Sequence, residues 1–176
     1  ASGPSNSIRG AAFLSGLRDA IVVDVGGTST DIGILVNGFP RESSIEVEIG
    51  GVRTNFRMPD LLSIALGGGT RVHQDGGLRL GPDSVGYRIT HEGLAFGGET
   101  LTLSDIAVAA GRTTMGDPAR VAGLDQQLVA SVSAMIRAAC EGTIDRVKTS
   151  ADPMPVVLVG GGSVIIESEL AGASEV

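Results

Sequence analysis

The stretch Ala20-Ile21-Val22-Val23-Asp24-Val25-Gly26-Gly27-Thr28-Ser29-Thr30-Asp31 decides the fold. An apolar strand delivers a carboxylate, Asp24, and then two glycines and three hydroxyl residues. A second carboxylate, Asp31, opens the next apolar run at residues 32–36. Glycines let backbone N–H groups approach a phosphate without a Cβ clash. Thr28, Ser29 and Thr30 add hydroxyl donors, and Asp24 is a hard oxygen ligand suited to hold Mg²⁺ through water. A Walker A loop requires a lysine and a following helix, and here there is neither. A dinucleotide fingerprint also requires its glycine turn to open a helix. A β-hairpin that carries a phosphate loop is left, against the plainer alternative of a glycine hairpin that binds nothing. A two-residue Asn-Gly turn would serve the plainer purpose without five small residues and two flanking carboxylates.

Outward from this stretch, Asn37-Gly38 signals a second hairpin. Ile45, Val47 and Ile49 alternate with Glu46 and Glu48 as a half-buried strand would. The expectation is an antiparallel meander of three strands. Upstream, residues 5–17 read as a helix with Ile8, Ala11, Ala12, Phe13 and Leu14 in one apolar stripe and Gly16 as its stop. Downstream, residues 50–123 form a glycine-rich β insertion. It holds Gly67-Gly68-Gly69-Thr70, which either lines a cleft or forms a surface loop. It also holds the hairpin signal Asp75-Gly76 between Val72 and Leu78/Leu80. Thr102 with Asp105 reads as a capping box for a short helix ending at Gly111, and Asp117-Pro118 reads as another helix start.

Residues 124–148 carry the strongest helical periodicity, through Leu128, Val132, Met135, Ile136, Ala139 and Val147. A buried strand follows at 156–159, then Gly160-Gly161-Gly162-Ser163, then the start of a further helix over 164–170. The triple glycine is either a plain strand-to-helix turn or a turn against which a flat adenine or ribose lies. The order strand-strand-strand-helix-strand-helix is that of an α/β, ribonuclease-H-like half-domain of the actin/Hsp70 type. The chain reads as a single domain over 1–176. Residues 1–49 form the helix and meander, 50–123 the insertion, and 124–176 the long helix, buried strand and nucleoside loop.

Composition narrows the function classes. With 42 % apolar and 19 % charged residues, the 176-residue chain has the mix of a soluble globular domain. Its net charge of −7 and the lack of a Lys/Arg cluster argue against nucleic acid and against an anionic membrane surface. No apolar run approaches a membrane span. The single cysteine, Cys140, fits a reduced cytoplasmic setting and reads as a small core residue. His73 and His91 lack metal-ligand spacing and read as exposed loop residues. The opening at Ala1, without an initiator Met, reads as a processed chain or a piece of a longer one.

Several segments together resemble the hydantoinase A/oxoprolinase family. They are Ser2-Gly3-Pro4 with Arg9-Gly10-Ala11-Ala12, the 21–31 stretch, Ser63 to Thr70, Gly76 to Gly86, and Leu101-Thr102-Leu103-Ser104-Asp105. The resemblance implies ATP-dependent opening of a cyclic amide such as a hydantoin or 5-oxoproline, with Mg²⁺. It assigns Asp24, Gly26, Gly27, Thr28, Ser29 and Thr30 to the second phosphate loop and Gly160, Gly161 and Gly162 to the nucleoside loop. Relatives carry another Asp-Val-Gly-Gly-Thr loop in an N-terminal domain across the cleft. That domain of the same polypeptide is therefore an expected partner, with a second subunit as another. Relatives also have a proline-glycine-proline loop with a cysteine and a tyrosine where this chain has Tyr87-Arg88-Ile89-Thr90-His91-Glu92. The rival reading is a non-catalytic nucleotide sensor on the same fold.

Overall fold

The computed structural model describes residues 2–43, 47–49, 52–54, 59–167 and 169–174. Helix α1 (Ser2–Ser15) precedes β1 (Ala20–Val25), β2 (Thr30–Val36) and the two-residue β3 (Phe39–Pro40). Two short strands, β4 (Val47–Ile49) and β5 (Val52–Thr54), lead to β6 (Leu61–Ile64), β7 (Thr70–His73) and β8 (Arg79–Ser84). The single-turn α2 (Ile89–Glu92), then α3 (Leu103–Ala109), α4 (Gln126–Val147) and β9 (Val156–Val159) complete the order.

The main sheet is built around β1. It pairs antiparallel with β2 from Ala20↔Leu35 to Val25↔Thr30. On its other side it pairs parallel with β9, from Ile21↔Val156 to Asp24↔Val159. Both faces of β1 are covered, so every residue in it except Asp24 is buried and the strand reads as an unbroken apolar run. Ile21, Val23, Val25, Ile32 and Ile34 face a core supplied by Val132, Ile136, Cys140 and Ile144 of α4 and by Leu103 and Ile106 of α3. Ala20, Val22 and Leu35 face Ile8 and Ala11 of α1. At ~25 cal/mol per Å² of apolar surface, each buried Val, Leu or Ile among these contributes ~1.5–3 kcal/mol.

Local signals are realised where they are strong. Asn37 and Gly38 both take positive φ, 54° and 82°, as a tight hairpin with matching twist requires. The Asp75-Gly76 turn joins β7 to β8, with Val72 opposite Leu80. Helix α3 has a reciprocal capping box, the Thr102 side chain accepting from the Asp105 N–H and the Asp105 carboxylate from the Thr102 N–H. Asp125 caps α4 by accepting from Gln127 N at 3.0 Å.

Four expectations need correction. The third strand of the meander is not 45–49. The neighbours of β2 beyond β1 are β3 and β6. Val47–Ile49 pairs with β5 in a separate two-stranded sheet, and residues 44–46 lie outside the described ones. Alternation marks a strand with one wet face but does not say which sheet it joins. Phe13 and Leu14 are 86 % and 82 % exposed, so the buried stripe of α1 narrows to Ile8 and Ala11. Asp117-Pro118 starts a 3₁₀ turn at Pro118–Arg120 and no α-helix. The helix expected over 164–170 is one 3₁₀ turn, Ser163–Ile165.

Candidate functional site

Three glycine-bearing turns meet at the end of β1. The first is the β1–β2 loop, closed by Gly26 N–H donating to Ser29 O at 2.9 Å. The second is Gly67-Gly68-Gly69, which follows β6. The third is Gly160-Gly161-Gly162, which follows β9. They are joined through backbone. Gly68 N–H donates to Gly26 O at 3.0 Å, Gly69 N–H to Gly27 O at 2.7 Å, and Gly162 N–H to Val25 O at 2.9 Å. Side chains add two ties, Thr30 Oγ1 to Leu66 O at 2.6 Å and Ser84 Oγ to Gly27 O at 3.3 Å.

Close approach explains the glycines at two of these contacts. A Cβ on Gly67 would lie 2.5 Å from Thr28 N and 2.7 Å from Gly27 C. Gly160 has a φ of +88°, and a Cβ there would lie 2.6 Å from Asp24 Oδ1 and closer still to Val25 O. The 67–69 turn is buried, so of the two readings of this segment the surface loop is excluded.

The first loop holds its donors free. Among the described residues, the backbone N–H groups of Gly27, Thr28 and Ser29 make no hydrogen bond. Gly27 and Thr28 are exposed and Ser29 is half-buried. Consecutive unpaired amides on a glycine turn form an anion cradle, so they fit a phosphate. Beside them, Asp24 and Asp31 are cross-strand partners, so their carboxylates share one face of the sheet. Ser63 is next in that row and donates its hydroxyl to Asp31 Oδ1. Like charges directly opposite are unfavourable, and a divalent cation with oxygen preference relieves them. The residues therefore fit Mg²⁺ at Asp24, although among the described residues no group of three His, Cys, Asp or Glu side chains surrounds a common point.

Not every candidate reaches the open side of the loop. Thr30 is fully buried and its hydroxyl is committed to Leu66, so it bolts two loops together and offers no donor. Gly160 is spent on close packing against Asp24 and Val25. Gly26, Gly27, Gly68, Gly69, Gly161 and Gly162 line the opening beside the loop, and Asp24, Thr28 and Ser29 lie outside that lining.

A cavity of about 280 Å³ adjoins the glycines of all three turns. Its other wall is Ile89, Phe96 and Met115, with Ser104 between. These four residues lie 59 or more positions from the β1–β2 loop, and no local signal in the sequence ties them to it. Asp105, beside Ser104, organises this wall. Only 1 % exposed, it accepts from Ala95 N at 2.8 Å, Thr102 N at 2.8 Å and Thr102 Oγ1 at 2.7 Å.

The histidines lie apart from the cavity lining. His73 is not a loop residue but sits in β7, its Nε2 2.7 Å from Asp83 Oδ1. This bond is the main reason the Asp83 carboxyl is held below its usual pKa, and Arg71 adds to it. Cys140 is fully buried in the core, and burial pushes its thiol up to about 11. Among the described residues, no helix is long and apolar enough to cross a membrane.

The geometry agrees with comparisons to known proteins. The acetone carboxylase beta subunit of Xanthobacter autotrophicus (strain ATCC BAA-1158 / Py2) is 31 % identical over 118 residues, which cover 62 % of this chain and 16 % of that protein. The 5-oxoprolinase 1 of Arabidopsis thaliana is 38 % identical over 90 residues, 48 % of this chain and 7 % of that protein. The chain thus spans less than a fifth of the length of either relative. Among solved structures, the ATP-dependent caprolactamase from Pseudomonas jessenii superposes with a TM-score of 0.65 at 23 % identity, over 91 % of this chain and 27 % of that one. Nucleotide-free acetone carboxylase gives 0.58 at 21 % identity, over 80 % and 23 %. These two likenesses establish a shared fold. The model of the hydantoinase/oxoprolinase family matches residues 1–157, and the chain belongs to that family.

Proposed function

We propose that this chain forms one side of the nucleotide site of an ATP-dependent enzyme that activates and opens a small cyclic amide. The observation that carries the reading is the run of three unpaired N–H groups at Gly27, Thr28 and Ser29, beside the Asp24 carboxylate. Family membership and the ATP-dependent relatives support it. ATP, when bound, supplies phosphoryl activation of the amide oxygen. Two waters then complete the change, one cleaving the C–N bond with a proton to nitrogen, the other releasing phosphate from the carboxyl carbon.

The chain's own residues bind and orient. The 27–29 amides take phosphate oxygens, and their fixed dipoles stabilise charge there without reorganising. Asp24, with Asp31 beside it, holds Mg²⁺ through water. Gly161 and Gly162 present flat backbone to the nucleoside. The cross-loop hydrogen bonds hold these parts in place, and positioning is what phosphoryl transfer depends on. A second domain bearing the opposing phosphate loop is the partner such a site needs, and the cytoplasm is its expected setting.

The test is ATP hydrolysis by the full-length gene product with and without ring amides. Ring-dependent turnover that falls at least about 100-fold in Asp24→Asn, without unfolding, is expected. Turnover that ignores the ring, or binding of nucleotide with no turnover at all, would favour the sensor reading. Unchanged turnover in Asp24→Asn would remove the loop assignment.

A further inference from the structure

The end of the main sheet away from the glycine turns carries most of the exposed apolar surface. Among the described residues six large apolar side chains are exposed, and four of them are Phe13, Leu14, Val36 and Phe39. These four form one patch. Val36 and Phe39 are cross-strand partners in β2 and β3, so they share a face of the sheet. The Arg9 guanidinium lies over the Phe39 ring, 5.1 Å from its centroid. Phe13 is one helical turn on from Arg9 along α1, and Leu14 adjoins it. Arg18 is held at the same corner, because its carbonyl accepts from Gly38 N–H at 2.7 Å.

Position separates this patch from the nucleotide side. Ala20 pairs with Leu35, next to Val36, whereas Val25 pairs with Thr30 beside the glycine turns. At ~3.3 Å per residue, the six residues of β1 put about 17 Å between the two ends.

Size and charge say what fits there. The four side chains leave roughly 500 Å² of apolar surface open, as much as the largest patch on a typical monomer. That is enough for the centre of a stable interface, which buries ~800 Å² a side. Residues 1–18 contain no Asp or Glu, and among the described residues neither Arg9 nor Arg18 has an ion-pair partner. Asp19, the nearest acid along the chain, is occupied by Asn37 N–H at 3.0 Å. The patch is therefore cationic on a chain of net charge −7. A second copy in a two-fold contact would set the patch against itself, with Arg9 and Arg18 among like charges. Two cations are also fewer than the ~4–8 that hold a basic segment to an anionic membrane.

We infer that this face is a permanent interface, covered in the full-length gene product by another part of the same polypeptide whose surface is apolar at its centre and acidic at its rim. The part of each curated relative that this chain matches is less than a fifth of its length, so such a polypeptide has further surface to supply the cover. Phe13 and Phe39 fill its apolar centre, and Arg9 and Arg18 meet carboxylates at the edge. Left open, a patch of this kind invites aggregation. Nothing in this assignment depends on the nucleotide site.

The experiment uses the full-length gene product carrying Phe13→Cys, with Leu14→Cys as a second site in case the first variant does not fold. Maleimide labelling at that position is followed by mass spectrometry, in buffer and in urea. The native rate should be at least about tenfold below the rate in urea and should not change with protein concentration. Adding Arg9→Glu and Arg18→Glu, which repels an acidic rim, should raise the native rate at least about tenfold. A smaller native protection in folded protein at either site would overturn the inference, because the face would then be open or waiting for a separate subunit. Labelling that slows as protein concentration rises would give the face to a second copy, and protection that needs added phosphatidylserine vesicles would give it to a membrane. Either result would overturn it too. A smaller rise in the arginine variants, or none, would refute the acidic rim.

Discussion

Gly67→Ala adds one methyl group where the 67–69 turn passes under the β1–β2 loop. The added Cβ would stand 2.5 Å from Thr28 N, 2.7 Å from Gly27 C and 2.8 Å from Gly26 O, whereas ordinary contact begins at 3.4 Å. All three neighbours are backbone, so no side chain can swing away. The loop must retreat by about 0.9 Å, straining the bond from Gly68 N–H to Gly26 O. Overpacking of this kind costs ~1–3 kcal/mol. A displacement near 1 Å at a positioned group costs ~100-fold in rate. Gly27→Ala is the control, because a Cβ there meets nothing within 4 Å, and its stability should stay within ~0.5 kcal/mol of the parent. Urea unfolding and ATP-dependent phosphate release on the full-length product measure both effects. A Gly67→Ala protein as stable as Gly27→Ala and as active as the parent would refute the close-packing account of the loop.

Three further outcomes are expected. Asp105→Ala leaves buried donors at Ala95 and Thr102 unpaired and should destabilise by ~3 kcal/mol or more. Asp105→Asn should recover part of that, and equal loss in both by urea unfolding would count against the network. His73→Ala removes the main cause of the lowered Asp83 pKa, so the Asp83 carboxyl should titrate nearer its ordinary value by ¹³C NMR. Because the native value is depressed, the pair's contribution to stability is present above the usual carboxylate range and is lost as pH falls through the lowered value. A midpoint that stays put in His73→Ala would mean the bond is not made in solution. Cys140, with its thiol pushed up to about 11 and its side chain fully buried, should ignore a thiol reagent at pH 8 until denaturant is added. Rapid labelling of the native protein would contradict its place in the core.

How far the sequence could be read depends on the range of the forces involved. The 20–31 hairpin, the Asn37-Gly38 turn, the Thr102/Asp105 cap and the long helix were legible because each is set by residues within a turn or two. The fate of Val47–Ile49 was not, since pairing with β5 instead of β2 is decided by tertiary partners that alternation cannot encode. Phe13 and Leu14 fit a helical stripe, but the described residues of α1 that pack against the sheet are Ile8 and Ala11, with Ala12 partly buried beside them. In the candidate site, the glycines that line the cavity were visible through their local pattern. Ile89, Phe96, Met115 and Ser104 were not, because they are brought to the loop only by the folded insertion. Thr30 was misread because a hydroxyl in a phosphate-loop pattern gave no hint that Leu66, 36 positions on, would take it.

The parallel pairing of β1 with β9 also sets a timetable. Ile21 must find Val156, a loop closure across most of the chain, and such long-range pairings form slowly. On the ribosome, β1 and β2 emerge ahead of β9, as a hairpin whose β9-facing edge stays unsatisfied until β9 is made. During that interval the Val-Ile run is open to strand addition by other chains. The pocket turn that follows β9 is therefore the last of the three glycine turns to be installed, and anything that speeds its arrival should favour soluble product over aggregate.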